Sequence, residues 1–208
     1  MVFTESLQRL FLSVLCCGLA SASVSQELPD QTPPVIGRMA ISISRLPPDS
    51  RGGKAYRLSY RVPVPVAIMW KFKTDFENDF LLQNDYIKAH RLISRQQNSV
   101  VTEDRYSQLP AARFTWQTIL SPSRHRLDFK LLNAQQVGQR FHYGHIQLET
   151  EGAATRVTQV AYFDFLGASL WAEIPWRGGM VDFLTYGARW ERDMVIRRRS
   201  LYAAGAGQ

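Results

Sequence analysis

The sequence predicts an α+β fold in which a curved antiparallel sheet is covered by one long C-terminal helix. Three observations carry this. Apolar and polar residues alternate with period two through most of the stretch from Ile36 to Phe165. Turn-forming residues interrupt that stretch at regular intervals. Beyond it, Gly178 to Leu201 switches to apolar residues three or four apart, the spacing of one helical face. A curved sheet cannot bury its concave face by itself, and a single helix arriving last is the natural cover.

Taken in order, the chain opens with an apolar run, Leu10 to Ala20, too short to cross a bilayer and flanked by Arg9 and by small residues. Ala20, Ser21 and Ala22 fit the small-x-small rule of a signal-peptidase site. A signal peptide over 1–22, cleaved near Ala22, is therefore expected, with an uncleaved membrane anchor as the alternative. Cys16 and Cys17 both lie inside this segment, so the mature chain would hold no disulfide. An exported chain without cysteine fits a bacterial periplasm. Lipid attachment at Cys16 is disfavoured because Leu15 stands where a small residue is wanted. The formal net charge of +7 survives cleavage, since the removed segment carries one Arg and one Glu. It reads as a basic soluble surface or as an attraction to anionic lipid head groups. Nucleic acid is not an expected partner, because no recognisable binding motif is present.

Residues 23–35 are proline-rich and read as a linker. Met39, Ile41 and Ile43 then alternate with Ala40, Ser42 and Ser44, an N-terminal strand that with its turn occupies 36–53. After the turn from Pro47 to Gly53, Tyr56, Leu58, Tyr60 and Val62 alternate with Arg57, Ser59 and Arg61, so the two runs pair as a hairpin. Pro65 suits the start of a helix, where its missing N–H is no loss. Ile68, Met69, Phe72, Phe76 and Phe80 predict one short helix to about Thr74 and a second over Glu77 to Leu82. About six strands follow. Ala112, Phe114, Trp116 and Leu120 share one face, and Leu127, Phe129 and Leu131 alternate with Arg126, Asp128 and Lys130. Turns are expected at Gln96–Asn98, Leu109–Pro110, Ser121–Ser123, Asn133–Ala134 and Glu151–Gly152. In the last helix Met180, Phe183, Gly187, Trp190 and Met194 fall on one face. Gly187 costs that helix about 1 kcal/mol relative to alanine. Either it leaves room for a ligand or it lets a neighbour pack close. Residues 204–208 form a tail.

Three stretches carry a resemblance. RVPVPVAIMWKFKTDFEN, with Trp70 and Asp75, is similar to a strand-to-helix entry, and GAATRVTQVAYFDFLG to a late strand pair. With the C-terminal helix they resemble the START-like superfamily, also called Bet v 1-like or the polyketide cyclase/dehydrase and lipid transport group. The resemblance covers roughly Lys54 to Leu201, within a ligand-binding domain over 54–203, and implies a helix-grip fold, with about seven strands wrapped around the long helix and two short helices after the first core strand. It also implies an apolar cavity for a lipid, quinone, sterol or polyketide-like molecule. Some relatives, such as coenzyme Q-binding proteins, are carriers and others are cyclases. The strand at Ile36 to Leu46 lies outside the usual core, and the family is more often cytoplasmic than exported.

On this reading Phe114, Trp116, Leu127 and Phe129 face Met180, Phe183, Gly187, Trp190 and Met194 across a cavity, or build a solid core with them. Leu170, Trp171 and Trp176 form either a covering loop or a gate that touches the membrane at head-group level. Arg197 to Arg199 complement the helix dipole or touch lipid phosphates, the dipole reading being favoured. Asp104, His145 and Glu149 are the candidate acid–base groups by alternation, while Asp128 and Asp164 face solvent and Asp75 is structural. His142 and His145 stand three apart and so point to opposite faces of a strand, which argues against a metal pair; His125 between two arginines reads as a solvated turn. No nucleophile motif is present. The expected function is binding, with carriage, of a hydrophobic small molecule without cofactor or metal; the alternative is a cyclase- or isomerase-like enzyme with a pocket acid or base. A lipocalin-like barrel is disfavoured by the helices expected between Pro65 and Leu82.

Overall fold

The structure, a computed structural model, describes residues 40–77, 81, 83–107, 109–165 and 179–203. The signal peptide, linker and tail, the lip residues Leu170, Trp171 and Trp176, and most of the second short helix lie outside them. The described elements are β1 (Ile41–Leu46), β2 (Lys54–Val62), α1 (Val66–Thr74), β3 (Ile87–Gln96), β4 (Ser99–Tyr106), β5 (Leu109–Ser121), β6 (Arg126–Leu131), β7 (Gln139–Glu151), β8 (Ala154–Phe165), α2 (Gly179–Arg197) and α3 (Arg199–Ala203).

The strands form one sheet in the order β1-β2-β8-β7-β6-β5-β4-β3. Every pairing is antiparallel. β3 to β8 are a meander, and β2 joins it by pairing with β8. Seven strands make up the helix-grip sheet and β1 is an eighth, paired to β2 from Ile41↔Tyr60 to Leu46↔Ala55. Ile41 and Ile43 pack against the main core, so this extra strand extends the floor under α2. The turn expected at Leu109–Pro110 falls earlier, because β5 already begins at Leu109. A proline is tolerated there, next to the first residue of the strand.

α1 starts where the sequence places it. The Pro65 carbonyl accepts from the N–H of Ile68 at 3.0 Å and of Met69 at 3.1 Å. Thr74 Oγ1 donates back to the Trp70 carbonyl at 2.9 Å, spending its hydroxyl on the last turn. Ile68, Met69 and Phe72 turn inward to meet Val62, Leu148, Val157, Ala188 and Val195 in the larger hydrophobic cluster. A smaller cluster of Phe114, Leu131, Ala134 and Val137 fills the other end of the sheet.

Two glycines are fixed by geometry. Gly53 has φ +78°, and a Cβ there would stand 2.6 Å from the Phe163 carbonyl oxygen. Gly144 faces the concave side beneath the Phe129 ring, where a Cβ would stand 2.8 Å from Phe129 Cζ and 2.0 Å from the Val160 carbonyl oxygen. The side chain is missing so that the aromatic ring can lie on the sheet. Gly144→Ala is expected to lower stability by roughly 1–3 kcal/mol in denaturant unfolding, since backbone must move to admit one methyl group.

Candidate functional site

Between the concave face of the sheet and α2 lies a cavity of about 410 Å³, within the size range of small-molecule sites. Its walls are mostly apolar. Phe114, Trp116, Leu127 and Phe129 line it from the strands, and Met180, Phe183 and Trp190 from the helix, as the alternation and the helical spacing place them.

Two residues of the expected set stand elsewhere. Met194 is 1% exposed and belongs to the larger hydrophobic cluster. It continues the helical face, but one turn past Trp190 the helix has settled onto β1 and β2 and the gap has closed. Gly187 is not among the lining residues, though its neighbours in the helix, Leu184, Trp190 and Glu191, are. Nothing lies within 4 Å of a Cβ built on it, so no close neighbour requires glycine there. Gly187→Ala should therefore raise the thermal midpoint, by about 1 kcal/mol of helix propensity and without a clash.

The polar groups of the cavity come from distant parts of the chain. Lys73, at the end of α1, forms an ion pair with Glu191 of α2, whose other carboxylate oxygen accepts from Tyr60 Oη of β2. Both side chains of the pair are about seven-eighths buried, at 14% and 13% exposure. Burial and the Glu191 carboxylate hold the Tyr60 phenol well above its ordinary range. Beside them Asp75 accepts from Tyr202 Oη of α3 at 2.8 Å, which ties the end of α1 to the end of the chain. The sequence predicts that Asp75 hydrogen-bonds the next turn; this bond instead reaches across the fold.

Asp104 does reach the cavity. Its carboxylate meets His90 Nδ1 at 2.6 Å, and His90 Nε2 meets the Phe76 carbonyl at 3.0 Å. An imidazole with acceptors on both nitrogens is best satisfied as imidazolium, with two N–H donors. Burial opposes that charge, and the hydrogen bond and charge of Asp104, with the Phe76 carbonyl, overcome it, so the pKa of His90 is raised. Sequence reasoning passed over His90 because the register of β3 shifts between Ile87 and Ala89 and again beyond Leu92, which spoils its alternation.

His145 and Glu149 are corrected. On β7, Ile146 lines the cavity and Leu148 is buried in the larger hydrophobic cluster, so these two residues, in the intervening register, point to the outer face. His145 instead has its pKa lowered by burial and by Arg126. The inward histidine of that strand is His142, opposite to His145 as the spacing requires. Its Nδ1 lies 3.1 Å from Gln139 Oε1, and its ring packs edge-on to Trp116 with centroids 4.9 Å apart. Burial lowers its pKa to about 4. The unfolded chain therefore takes up a proton near pH 6.5 that the folded chain refuses until about pH 4. Stability is expected to fall across this window as pH drops, by on the order of 3 kcal/mol from this group. Urea unfolding at both ends of the window should show the loss, and His142→Phe should shrink it.

No protein-family model matches the chain, and no curated protein matches it. Solved structures match its fold. The protein TTHA0849 from Thermus thermophilus aligns with a TM-score of 0.52 at 14% identity, covering 72% of this chain and 98% of that one. The Zhui aromatase/cyclase from Streptomyces sp. R1128 aligns at 0.51 and 15%, covering 79% and 99%. Ara h 8.0201 aligns at 0.53 and 10%, covering 70% and 99%. The architecture is the helix-grip fold of Bet v 1-like proteins, and at these identities the likeness is one of fold.

Proposed function

We propose that this chain binds a hydrophobic small molecule in the cavity under α2, and carries it in the periplasm after loss of its first 22 residues. The supporting observation is the cavity itself: about 410 Å³ walled mainly by aromatic and aliphatic side chains, with a few polar groups held in fixed pairs. Burial of apolar ligand surface there contributes roughly 25 cal/mol per Å² before the costs of association. A structural neighbour that is an aromatase/cyclase is compatible with such a cavity and does not choose its contents. The net charge of +7 supports transient attraction to anionic membrane surfaces as part of the same proposal.

A second reading, a cyclase- or isomerase-like enzyme, draws on the His90–Asp104 pair in the cavity wall. It is the weaker one, because both ring nitrogens of His90 are already committed and a general base needs a free one. The expected result is a stoichiometric hydrophobic molecule on the protein purified from its own host, seen by native mass spectrometry and identified after organic extraction. Leu184→Trp, which sends an indole into the cavity, should lose it while remaining folded. Retention of the molecule in that variant would place it elsewhere, and substrate turnover abolished by Asp104→Asn would favour the enzyme.

A further inference from the structure

The charges along the cavity do not balance. Among the described residues its lining holds three carboxylates, Asp75, Asp104 and Glu191, against the ammonium of Lys73 and the imidazoles of His90 and His142. His142 is uncharged near neutral pH. With His90 charged one carboxylate is in excess, and with His90 neutral two are. No arginine is among the described lining residues. The chain as a whole carries +7, so surface and cavity have opposite signs.

That imbalance sits in an apolar surrounding, where like charges repel far more than in water. An incoming anion finds excess negative charge, and Lys73 already holds Glu191. An incoming cation finds each carboxylate already engaged: Asp75 by Tyr202, Asp104 by His90, Glu191 by Lys73 and Tyr60. At Asp104 and Glu191 it competes with a basic partner, whereas Asp75 is held by a neutral phenol and keeps a charge that an amine can meet. The groups left over suit a neutral ligand. The Lys73 ammonium has three N–H donors and, among the described residues, the one partner Glu191. Gln159 and Thr118, also in the lining, add an amide and a hydroxyl.

We infer that the cavity selects an uncharged, mostly apolar molecule bearing a carbonyl or hydroxyl oxygen, which accepts a hydrogen bond from Lys73, and that it disfavours the carboxylate on the same skeleton. This rests on the ligand-binding reading above and narrows it from lipids in general to ketone-, quinone- or sterol-like compounds, with free fatty acids outside.

The test uses the mature chain near neutral pH with the uncharged fluorophore N-phenylnaphthylamine as reporter, displaced in turn by dodecanone, dodecanol and dodecanoate. The ketone and the alcohol should displace it at concentrations about tenfold or more below that of the carboxylate. The double variant Lys73→Met/Glu191→Gln removes the ion pair without stranding a charge. It should keep the reporter and bind the ketone about tenfold more weakly. A carboxylate that competes as well as the ketone on the unsubstituted chain overturns the inference, whether or not the variant folds. So does a folded double variant that binds the ketone as tightly as the unsubstituted chain. If the folded chain fails to bind the reporter or any probe, the cavity reading falls, and this inference with it.

Discussion

One helix has to cover a sheet wider than itself. The concave face spans seven strands and is extended by an eighth, and α2 crosses it once. Where α2 and α1 both press on β2 and β8, Ala188, Met194 and Val195 close completely on Val62, Leu148 and Val157. Toward the start of α2 the same face presents Met180, Phe183 and Leu184 to strands that have curved away, and the space between stays open. Cavity and core are thus two ends of one contact, and the distance between helix and sheet decides which is which.

The polar pairs fix that distance. Lys73–Glu191 joins α1 to α2, Tyr60–Glu191 joins β2 to α2, and Asp75–Tyr202 joins α1 to the final helix. His90 holds β4 through Asp104 and the segment after α1 through the Phe76 carbonyl. Buried ion pairs add little net stability, because desolvation offsets most of their attraction, yet breaking one by removing a single partner is costly. Their effect here is to set geometry: walls that apolar packing alone would let slide are pinned at named atoms.

Much of the fold was legible in the sequence. The β1–β2 hairpin, the start of α1 after Pro65, the six-stranded meander and the long last helix all follow from period and punctuation. So do the inward positions of Phe114, Trp116, Leu127, Phe129, Met180, Phe183 and Trp190, because regular strands and helices repeat faithfully. The failures have separate causes. A β-bulge changes which residues face inward, and the register of β3 shifts on either side of His90, so its alternation does not announce it. β7 runs in unbroken register from Phe141 to Glu151, and there His145 and Glu149 simply fall in the opposite phase to the apolar Ile146 and Leu148. Depth along a helix is not periodic, so Met194 carried the right phase and the wrong surroundings. Lys73, Tyr60 and Glu191 are brought together by the closure of the whole sheet, and no local pattern announces such a meeting.

The pairing of β2 with β8 has a consequence in time. Lys54 lies opposite Phe163 and Val62 opposite Thr155, so the first long strand waits for nearly the last before it has a neighbour on that side. The meander from β3 to β8 needs only adjacent strands, whose loops close quickly, whereas joining β2 requires closing a far longer loop. The N-terminal hairpin thus remains an unfinished edge until β8 is in place to pair with it. The cavity, walled by strands from both parts, forms only after that long loop has closed, so a ligand meets a binding site that exists late in folding or not at all.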